Sequence, residues 1–206
     1  MIVAVDRGLS RAKIIIMRDN EFRIEERPAQ EFDNILPQFK EASKIVAVEN
    51  VPISHLSGFN NVVRVPELDA TALGALMLTG LKKAIVASMG TGTAFMLASL
   101  GEKPLHIIGT GVGGGLIEGF SKYLGCENTM EFIRMAAKGD PWNVDLKVGH
   151  LYPEGLPSLP PETTASNMAL LSKNSRREDI AAGVMRLIGE TIGVIVSLLA
   201  RSYNLP

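Results

Sequence analysis

The chain has 206 residues, of which 46% are hydrophobic and 21% are charged, as is ordinary for a soluble globular protein. The formal net charge of -1 argues against a broad basic surface for nucleic acid or anionic lipid, so any anion must be held by local geometry. Cys126 is the only cysteine, which excludes an intrachain disulfide and a cysteine-cluster metal site.

The first part of the chain predicts a meander of strands followed by helices and further strands. Phe32, Ile35, Leu36 and Phe39 follow i, i+3, i+4, i+7 spacing, which predicts one amphipathic helix over about 30–42. Asp69 is predicted to be the N-cap of an alanine- and leucine-rich helix that runs to about residue 81. Short apolar runs predict the strands, which lie at 2–5, 12–17, 22–24, 44–48 and 62–65.

The same order of elements then restarts, which predicts two related lobes at 1–82 and 83–206. A helix is predicted from residue 115 to about 124, and the proline-rich residues 153–163 are predicted to form an exposed loop. An apolar stripe over 180–199 predicts a long closing helix. The strands of the second series are predicted at 84–87, 94–98 and 105–108.

Neither end of the chain predicts membrane insertion. The first apolar run meets Asp6 and Arg7 at once, which argues against a signal peptide. The apolar segment at 184–200 contains Arg186 and Glu190, and we expect it to be too short and too charged to cross a bilayer. These features predict a cytoplasmic protein.

Three glycine-rich stretches, at 6–10, 88–93 and 109–115, lie where predicted strands turn. A residue without Cβ lets backbone N–H groups approach an anion and can adopt positive φ. Successive amides in such turns form a nest for phosphate oxygens, and a helix start adds unpaired N–H groups. The three loops together predict a phosphate-handling enzyme.

The acidic residues beside these loops have two interpretations each. Asp6, at a strand end, either holds Mg²⁺ through water or stabilises the turn. Glu67 either accepts a proton from a substrate hydroxyl or forms, with Asp69, an acidic pair that complements the helix dipole. Lys13 either neutralises phosphate or is solvated, and Trp142 either packs in the core or belongs to a lid.

The order and surroundings of the loops resemble those of type II pantothenate kinases, members of the sugar-kinase and actin superfamily. The resemblance is densest over 66–169. Its most specific part surrounds Val144-Asp145-Leu146, because no generic turn requires that block. The matching segments are 66–70, 89–93, 109–124, 139–152 and 161–167.

The resemblance implies an α/β, two-lobed, actin-like (ribonuclease H-like) fold with ATP in the cleft between lobes. It implies that pantothenate is phosphorylated at its terminal hydroxyl, in the first committed step of coenzyme A synthesis, by a homodimer using Mg²⁺ and ATP. Glu67 matches the catalytic glutamate, and Asp6, the predicted metal-holding carboxylate, lies on the first phosphate motif. The residues that match nucleotide-binding motifs are Asp6, Gly8, Ser10, Lys13, Gly90, Thr91, Gly92, Thr93, Gly113, Gly114 and Gly115.

The chain departs from the family pattern in four places. Leu9 replaces a glycine of the first motif, and Val48-Glu49-Asn50 replaces a Thr-Gly-Gly turn. His106 stands where the family has an arginine that contacts pantothenate, so it is the predicted substrate-binding residue. The family's last strands and adenine-side glycine motif are expected beyond Pro206, which predicts an incomplete second lobe.

Two further functions stay open from the sequence. The first is a catalytically weak relative that binds nucleotide or an acyl-coenzyme A in a regulatory role, which the altered motifs favour. The second is an actin-like ATPase activator subunit, which would share the cleft without the Val144-Asp145-Leu146 block. The retained Asp6 and Glu67 favour the kinase over the catalytically weak relative, and the Val144-Asp145-Leu146 block favours it over the activator subunit.

Overall fold

The computed structural model describes residues 1–8, 11–19 and 21–205. The chain divides into two compact units, Met1–Lys83 with Ala98–Pro104, and Ala84–Leu97 with Leu105–Pro206. Both units combine strands with helices, so the predicted α/β class is confirmed. The predicted boundary between residues 82 and 83 stays a prediction.

The first unit contains a five-stranded sheet in the order β3-β2-β1-β4-β5. The first three strands form an antiparallel meander, whereas β4 pairs with β1 and β5 pairs with β4 in parallel. The carboxyl ends of β1, β4 and β5 therefore lie at one edge of the sheet. The strands are β1 Ile2–Arg7, β2 Arg11–Arg18, β3 Glu21–Pro28, β4 Lys44–Val48 and β5 Val62–Val65.

One face of this sheet is buried because alternate residues of β1, β2 and β4 are apolar. Side chains from the segments between the strands complete the core on that face. The core thus fixes the register of the strands whose carboxyl ends carry the candidate site. Its fully buried members include Val3, Val5, Ala12, Ile14, Ile45, Ala47, Phe32, Leu36 and Val51.

The single helix predicted over about 30–42 is wrong. The segment forms a 3-10 turn at Ala29–Glu31, a short helix α1 at Phe32–Ile35, and a second 3-10 turn at Leu36–Phe39. Pro37 has no N–H to donate within a helix, so regular α-helical hydrogen bonding does not continue through it. The apolar spacing still buries Phe32, Leu36 and Phe39 in the core.

Helix α2 spans Glu67–Thr79 and follows β5 directly. Pro66 occupies its N-cap position, so the prediction that Asp69 is the N-cap is wrong, and Asp69 lies in the first turn instead. The helix ends where Gly80 takes a left-handed φ of 71°, and the Gly80 N–H donates to the Leu76 carbonyl. Glu67 is thereby the first helical residue after the carboxyl end of β5.

The second sheet has the order β6-β7-β8, so three consecutive strands again lie side by side as β1 to β3 do. Helices α3, α4 and α6 pack around a core that includes Phe95, Phe132 and Val184. The elements are β6 Lys83–Met89, β7 Thr93–Ser99, β8 Leu105–Thr110, α3 Gly114–Tyr123, α4 Thr129–Ala136 and α6 Arg177–Ser202.

The segment between α4 and α6 forms a small substructure of the second unit. Strands β9 Leu146–Lys147 and β10 Thr164–Ser166 pair in antiparallel fashion, and the short helix α5 Val148–Leu151 follows β9. Most residues of the 153–163 loop are exposed, as the sequence predicts.

The closing helix α6 is longer than expected. It has 26 residues and is long and apolar enough to cross a membrane by length and composition, so the expectation that this segment is too short is wrong. Several of its apolar side chains lie in the core of the second unit, among them Ala181, Val184 and Ile188. The core helix of a soluble protein can have the same length and composition, so the length and hydropathy of α6 alone assign no location.

Candidate functional site

The carboxyl edge of the first sheet gathers the polar residues that the sequence singled out. In the parallel register Val5 lies beside Ala47, and Val48 lies beside Val65. Asp6 directly follows Val5 on β1, whereas Asn50 and Glu67 lie two residues beyond Val48 and Val65, just past the ends of β4 and β5. Neighbouring strands lie about 4.8 Å apart, so β1 and β5 are separated by about 10 Å. In open α/β sheets, ligands bind at the carboxyl ends of the strands.

The Asp6 carboxylate is half-buried and held by Asn50. The Asn50 Nδ2 donates to Asp6 Oδ1 at 2.7 Å, and the backbone N–H of Arg7 donates to Asn50 Oδ1 at 3.3 Å. Sequence reasoning missed Asn50 as a functional candidate. The available signal was a polar residue two positions after a buried strand, where the family pattern has glycine.

The Glu67 side chain is exposed at the first position of α2. Glu67 and Asp69 both lie in the first turn, where carboxylates interact favourably with the helix dipole. Both interpretations of Glu67, as a base and as a dipole partner, are therefore compatible with its position. An exposed carboxylate at the carboxyl edge is accessible to a substrate hydroxyl.

The other predicted residues of the first motif have different environments. Lys13 is exposed on β2, directly opposite Asp6. The Gly8 N–H donates to the Arg11 carbonyl at 2.9 Å. This N–H group therefore joins the ends of β1 and β2 and is not available to a phosphate oxygen. Ser10 lies outside the described residues.

The two glycine loops of the second unit pack directly against each other. The Gly114 N–H donates to the Gly90 carbonyl, and the Gly115 N–H donates to the Thr91 carbonyl, both at 2.8 Å. A Cβ on Gly92 would lie 2.6 Å from the Thr110 carbonyl oxygen, and a Cβ on Gly113 would lie 2.8 Å from the Gly92 carbonyl carbon. Only residues without Cβ allow this approach.

Of the two properties of glycine considered from the sequence, positive φ is not used in these loops. Among the described residues, positive φ occurs at five glycines, none of them in the three predicted loops. Gly92, Gly113, Gly114 and Gly115 are therefore needed for close backbone approach and not for positive φ. The five are Gly58, Gly80, Gly101, Gly125 and Gly155.

The backbone amides that could bind phosphate also differ from those that the sequence predicted. The N–H groups of Gly114 and Gly115 are occupied by the loop carbonyls, so the prediction of unpaired amides at this helix start is wrong for both. The backbone N–H groups of Thr91, Gly92, Gly111 and Gly113 donate no hydrogen bond to the part of the chain that the structure describes. These four amides are the candidates for binding phosphate oxygens.

Thr93 and His106 have contrasting positions in the second sheet. Thr93 is only 3% exposed, and its Oγ1 donates to the Val112 carbonyl at 2.8 Å, so its hydroxyl ties the two loops together. His106 is exposed on β8, opposite Met96 at a register shift. Nucleotide contact by Thr93 and substrate contact by His106 both stay predictions.

A partly buried polar cluster in the second unit surrounds Arg186 of α6. The Arg186 Nε donates to Glu190 Oε1 at 2.8 Å and to Thr164 Oγ1 at 3.1 Å. The Arg186 guanidinium carbon lies 3.5 Å from the centroid of the Trp142 ring, a cation–π contact. This packing role for Trp142 was one of the two readings of the sequence.

Asp145 is fully buried beside this cluster. Its Oδ1 accepts the Met168 N–H at 2.8 Å, and its Oδ2 lies 3.8 Å from Arg186 Nε without a hydrogen bond among the described residues. Burial raises the pKa of Asp145, although the Met168 N–H and the Arg186 charge oppose this. Asp145 thus connects the segment before β9 to the segment after β10.

Glu190 and Asp179 hold the same segment from α6. Burial alone would raise the pKa of Glu190, but hydrogen bonds from Thr164 and Asn167 and the Arg186 charge lower it overall. Asp179 accepts the Asp140 N–H at 2.8 Å and the Asn143 amide at 3.0 Å. These contacts make the cluster a structural support for the 139–168 region.

The first-unit edge fits a magnesium ion. Asn50 occupies one oxygen of Asp6, and the other oxygen accepts no hydrogen bond from any described residue. Mg²⁺ keeps several waters and needs only one or two protein carboxylates. The described residues include no cluster of three or more His, Cys, Asp or Glu side chains arranged for a metal, so a Mg²⁺ ion here would depend on water and phosphate oxygens.

Comparison with known proteins gives the following similarities. A type II pantothenate kinase from Staphylococcus epidermidis is 31% identical over 67% of this chain and 56% of its own length. One from Oceanobacillus iheyensis is 26% identical over 98% of this chain and 80% of its own length. The ethanolamine utilization protein EutJ from Carboxydothermus hydrogenoformans covers 99% of this chain and 73% of its own, with TM-score 0.49 and 11% identity.

The matched part of the chain thus spans little more than half the length of the Staphylococcus epidermidis relative. The family model described as Fumble matches residues 83–206, which is more than half of this chain. The matched region contains both glycine loops of the second unit and the Asp145 segment. The chain therefore belongs to the Fumble family.

Proposed function

We propose that this chain transfers the γ-phosphoryl group of ATP to the terminal hydroxyl of pantothenate, in coenzyme A synthesis. The names of its relatives support this proposal, since several are type II pantothenate kinases. The observation that carries it is the presence of Asp6 and Glu67 at the same carboxyl edge of one sheet. One carboxylate for a metal and one for a proton are what phosphoryl transfer requires of acidic side chains.

The two units supply different functions in this proposal. In the first unit, Asp6 would hold Mg²⁺, Lys13 would neutralise phosphate charge and Glu67 would act as the base. In the second unit, the free amides of Thr91, Gly92, Gly111 and Gly113 would donate to phosphate oxygens. The close packing of Gly92 against Gly113 keeps these amides in a fixed arrangement. Gly114 and Gly115 would then support the loop, and nucleotide contact through them stays a prediction.

The chemistry needs no covalent enzyme intermediate. The hydroxyl oxygen of pantothenate forms a bond to the γ-phosphorus, and the bond from that phosphorus to the oxygen bridging the β- and γ-phosphates breaks to release ADP. The Glu67 carboxylate takes the hydroxyl proton. A bound Mg²⁺ would neutralise the charge that develops on the phosphate oxygens.

We extend the proposal to the pantothenate-binding residue, the oligomeric state and the cellular location. His106 is exposed on β8 and would contact pantothenate as a hydrogen-bonding group. The resemblance to the family supports a homodimer in the cytoplasm. The net charge of -1 gives no reason to add nucleic acid or membrane to the partners.

The direct test is to incubate the purified chain with Mg²⁺, ATP and pantothenate and to measure phosphopantothenate. Product formation supports the kinase. Thermal stabilisation by ATP without product would favour a binding protein instead. A ligand at 100 times its Kd adds about 2.7 kcal/mol to the free energy of unfolding, so binding would be easily detected.

The first prediction concerns Glu67. The Glu67→Gln variant should lose about 10²–10⁴-fold in kcat, because a positioned base typically contributes that factor. Binding of ATP, measured by thermal stabilisation, should stay close to that of the unchanged chain. Asp69→Asn is the matched control, since it removes a carboxylate from the same helix turn and should change kcat by less than about threefold.

The comparison separates the two interpretations of Glu67. If Glu67 only complements the helix dipole, both variants should lose similar stability and keep their turnover. Normal turnover in Glu67→Gln would remove Glu67 from the mechanism.

A further inference from the structure

The turn after β4 contains an asparagine whose side chain serves the neighbouring strand. Asn50 donates from Nδ2 to Asp6 Oδ1 at 2.7 Å and accepts the Arg7 N–H at Oδ1, 3.3 Å away. Both contacts are partly buried and join positions about 44 residues apart in sequence. The Asn50 amide therefore makes hydrogen bonds to the end of β1 through both of its polar atoms.

The turn itself does not depend on this side chain. The Arg64 Nη2 donates to the Glu49 carbonyl at 2.6 Å and to the Val51 carbonyl at 3.2 Å. The Glu49 N–H donates to the Val65 carbonyl, and the Val51 N–H donates to the Val48 carbonyl. Since other groups already hold the backbone on both sides of Asn50, its amide is free to serve Asp6.

The effect on Asp6 is geometric. A carboxylate on a free side chain rotates among several positions, whereas a hydrogen bond to one oxygen fixes the plane of the group. Here the amide is in turn held by the Arg7 N–H, so its own orientation is defined. Asn50 occupies one oxygen of Asp6, and the other accepts no hydrogen bond from the described residues, so it can bind a metal-bound water or a metal.

We propose that Asn50 is a positioning residue that orients the Asp6 carboxylate for a divalent metal bound with nucleotide. The inference rests on the proposed function for the identity of the metal–nucleotide ligand, but its test requires no turnover. Groups that hydrogen-bond metal ligands typically change metal affinity by 10–100-fold when they are removed.

The experiment measures binding of the Mn²⁺ complex of β,γ-imido-ATP to the full chain, through the relaxation rate of water protons around bound Mn²⁺. Asn50→Ala should raise the Kd by about 10–100-fold. The matched control is Asn61→Ala, because Asn61 Nδ2 also makes one amide hydrogen bond in the same unit, to the Ser43 carbonyl at 2.7 Å. Asn61→Ala should keep the original Kd for the Mn²⁺ complex, although its melting temperature should fall by about as much as that of Asn50→Ala.

A double-mutant cycle with Asp6→Asn tests whether Asn50 acts through Asp6. If it does, Asn50→Ala should add little further loss of Mn²⁺ affinity once the Asp6 carboxylate is gone. The same fold-change in both backgrounds would overturn the proposal. So would an unchanged Kd in Asn50→Ala, or no binding of the Mn²⁺ complex by the unchanged chain.

The proposed function can fail separately. If the unchanged chain makes no phosphopantothenate but shows the expected Mn²⁺ pattern, the acceptor or the activity is wrong and the role of Asn50 stands. If product forms and Asn50→Ala leaves Mn²⁺ binding unchanged, the kinase stands and the role of Asn50 is wrong.

Discussion

At the scale of single residues, Gly92 and Gly113 are needed because two backbones touch there, and not because of positive φ angles. Gly92 and Gly113 bring two backbones into contact at distances that no Cβ would allow. The Thr93 hydroxyl adds a hydrogen bond from one loop to the other. The loops therefore pack as one pair, and the amides of Thr91, Gly92, Gly111 and Gly113 donate no hydrogen bond to any described residue.

This packing predicts opposite effects for two glycines that lie six residues apart. Gly113→Ala should lower the free energy of unfolding by about 1–3 kcal/mol, because the new methyl group must displace the backbone of Gly92. Gly119→Ala should be neutral or stabilising by up to about 1 kcal/mol, because Gly119 lies within α3 with open space around it.

Urea unfolding of both variants checks this, and ATP-induced stabilisation should fall in Gly113→Ala alone. Equal stabilities for the two variants would contradict the close approach of the loops.

At the scale of elements, α6 supports the second unit on two sides. Its apolar face contributes Val184, Ile188 and Ile192 to the core. Its polar side chains Arg186 and Glu190 hold the segment that contains β9 and β10. A single helix thus fixes both the core and the region that resembles the family most specifically.

Two of the three valines of α6 test the contribution of its buried face. Val184 is fully buried, whereas Val194 is 59% exposed on the same helix. Val184→Ala should cost about 2 kcal/mol, from the lost transfer energy of two methyl groups and the cavity left behind. Val194→Ala should change stability by less than about 0.5 kcal/mol. Equilibrium unfolding of both variants measures the difference, and similar losses would argue against this packing of α6.

The helix predicted over about 30–42 shows what periodicity can and cannot decide. The spacing of Phe32, Leu36 and Phe39 correctly predicted which side chains enter the core. It could not decide that the segment breaks into one short α-helix between two 3-10 turns, because Pro37 removes a backbone donor without changing the apolar pattern.

At the scale of the whole molecule, each unit has its own hydrophobic core, one around Ile14 and Phe32 and one around Phe95 and Phe132. Buried carboxylates of the second unit link the stability of the protein to pH. Asp179 is 3% exposed, and the hydrogen bond from the Asp140 N–H lowers its pKa, against the opposing effect of burial.

The sign of the pH dependence follows from this lowered pKa. An unfolded aspartate titrates near about 3.9, so the folded carboxylate stabilises the protein above that pH. The contribution is lost as the pH falls below about 4 through the folded-state pKa. Asp179→Asn should therefore cost about 2 kcal/mol at pH 6, because it replaces a charged acceptor of two hydrogen bonds.

The difference between the unchanged chain and Asp179→Asn should shrink as the pH is lowered from 4 to 3, which urea unfolding across that range measures. Glu118→Gln is the control, because Glu118 is an exposed partner of Lys122 and should contribute nothing measurable. A difference that stays constant down to pH 3 would contradict the lowered pKa of Asp179.

The sequence by itself determined the α/β class, most strands, the closing helix and the positions of the glycine loops, because these depend on local periodicity and on residues without Cβ. Only the tertiary structure decided which backbone each glycine approaches, which amides stay free, and that Asn50 reaches Asp6 across 44 residues. Such contacts depend on the parallel pairing of β1 with β4 and on the packing of distant loops, and no local pattern of residues encodes either.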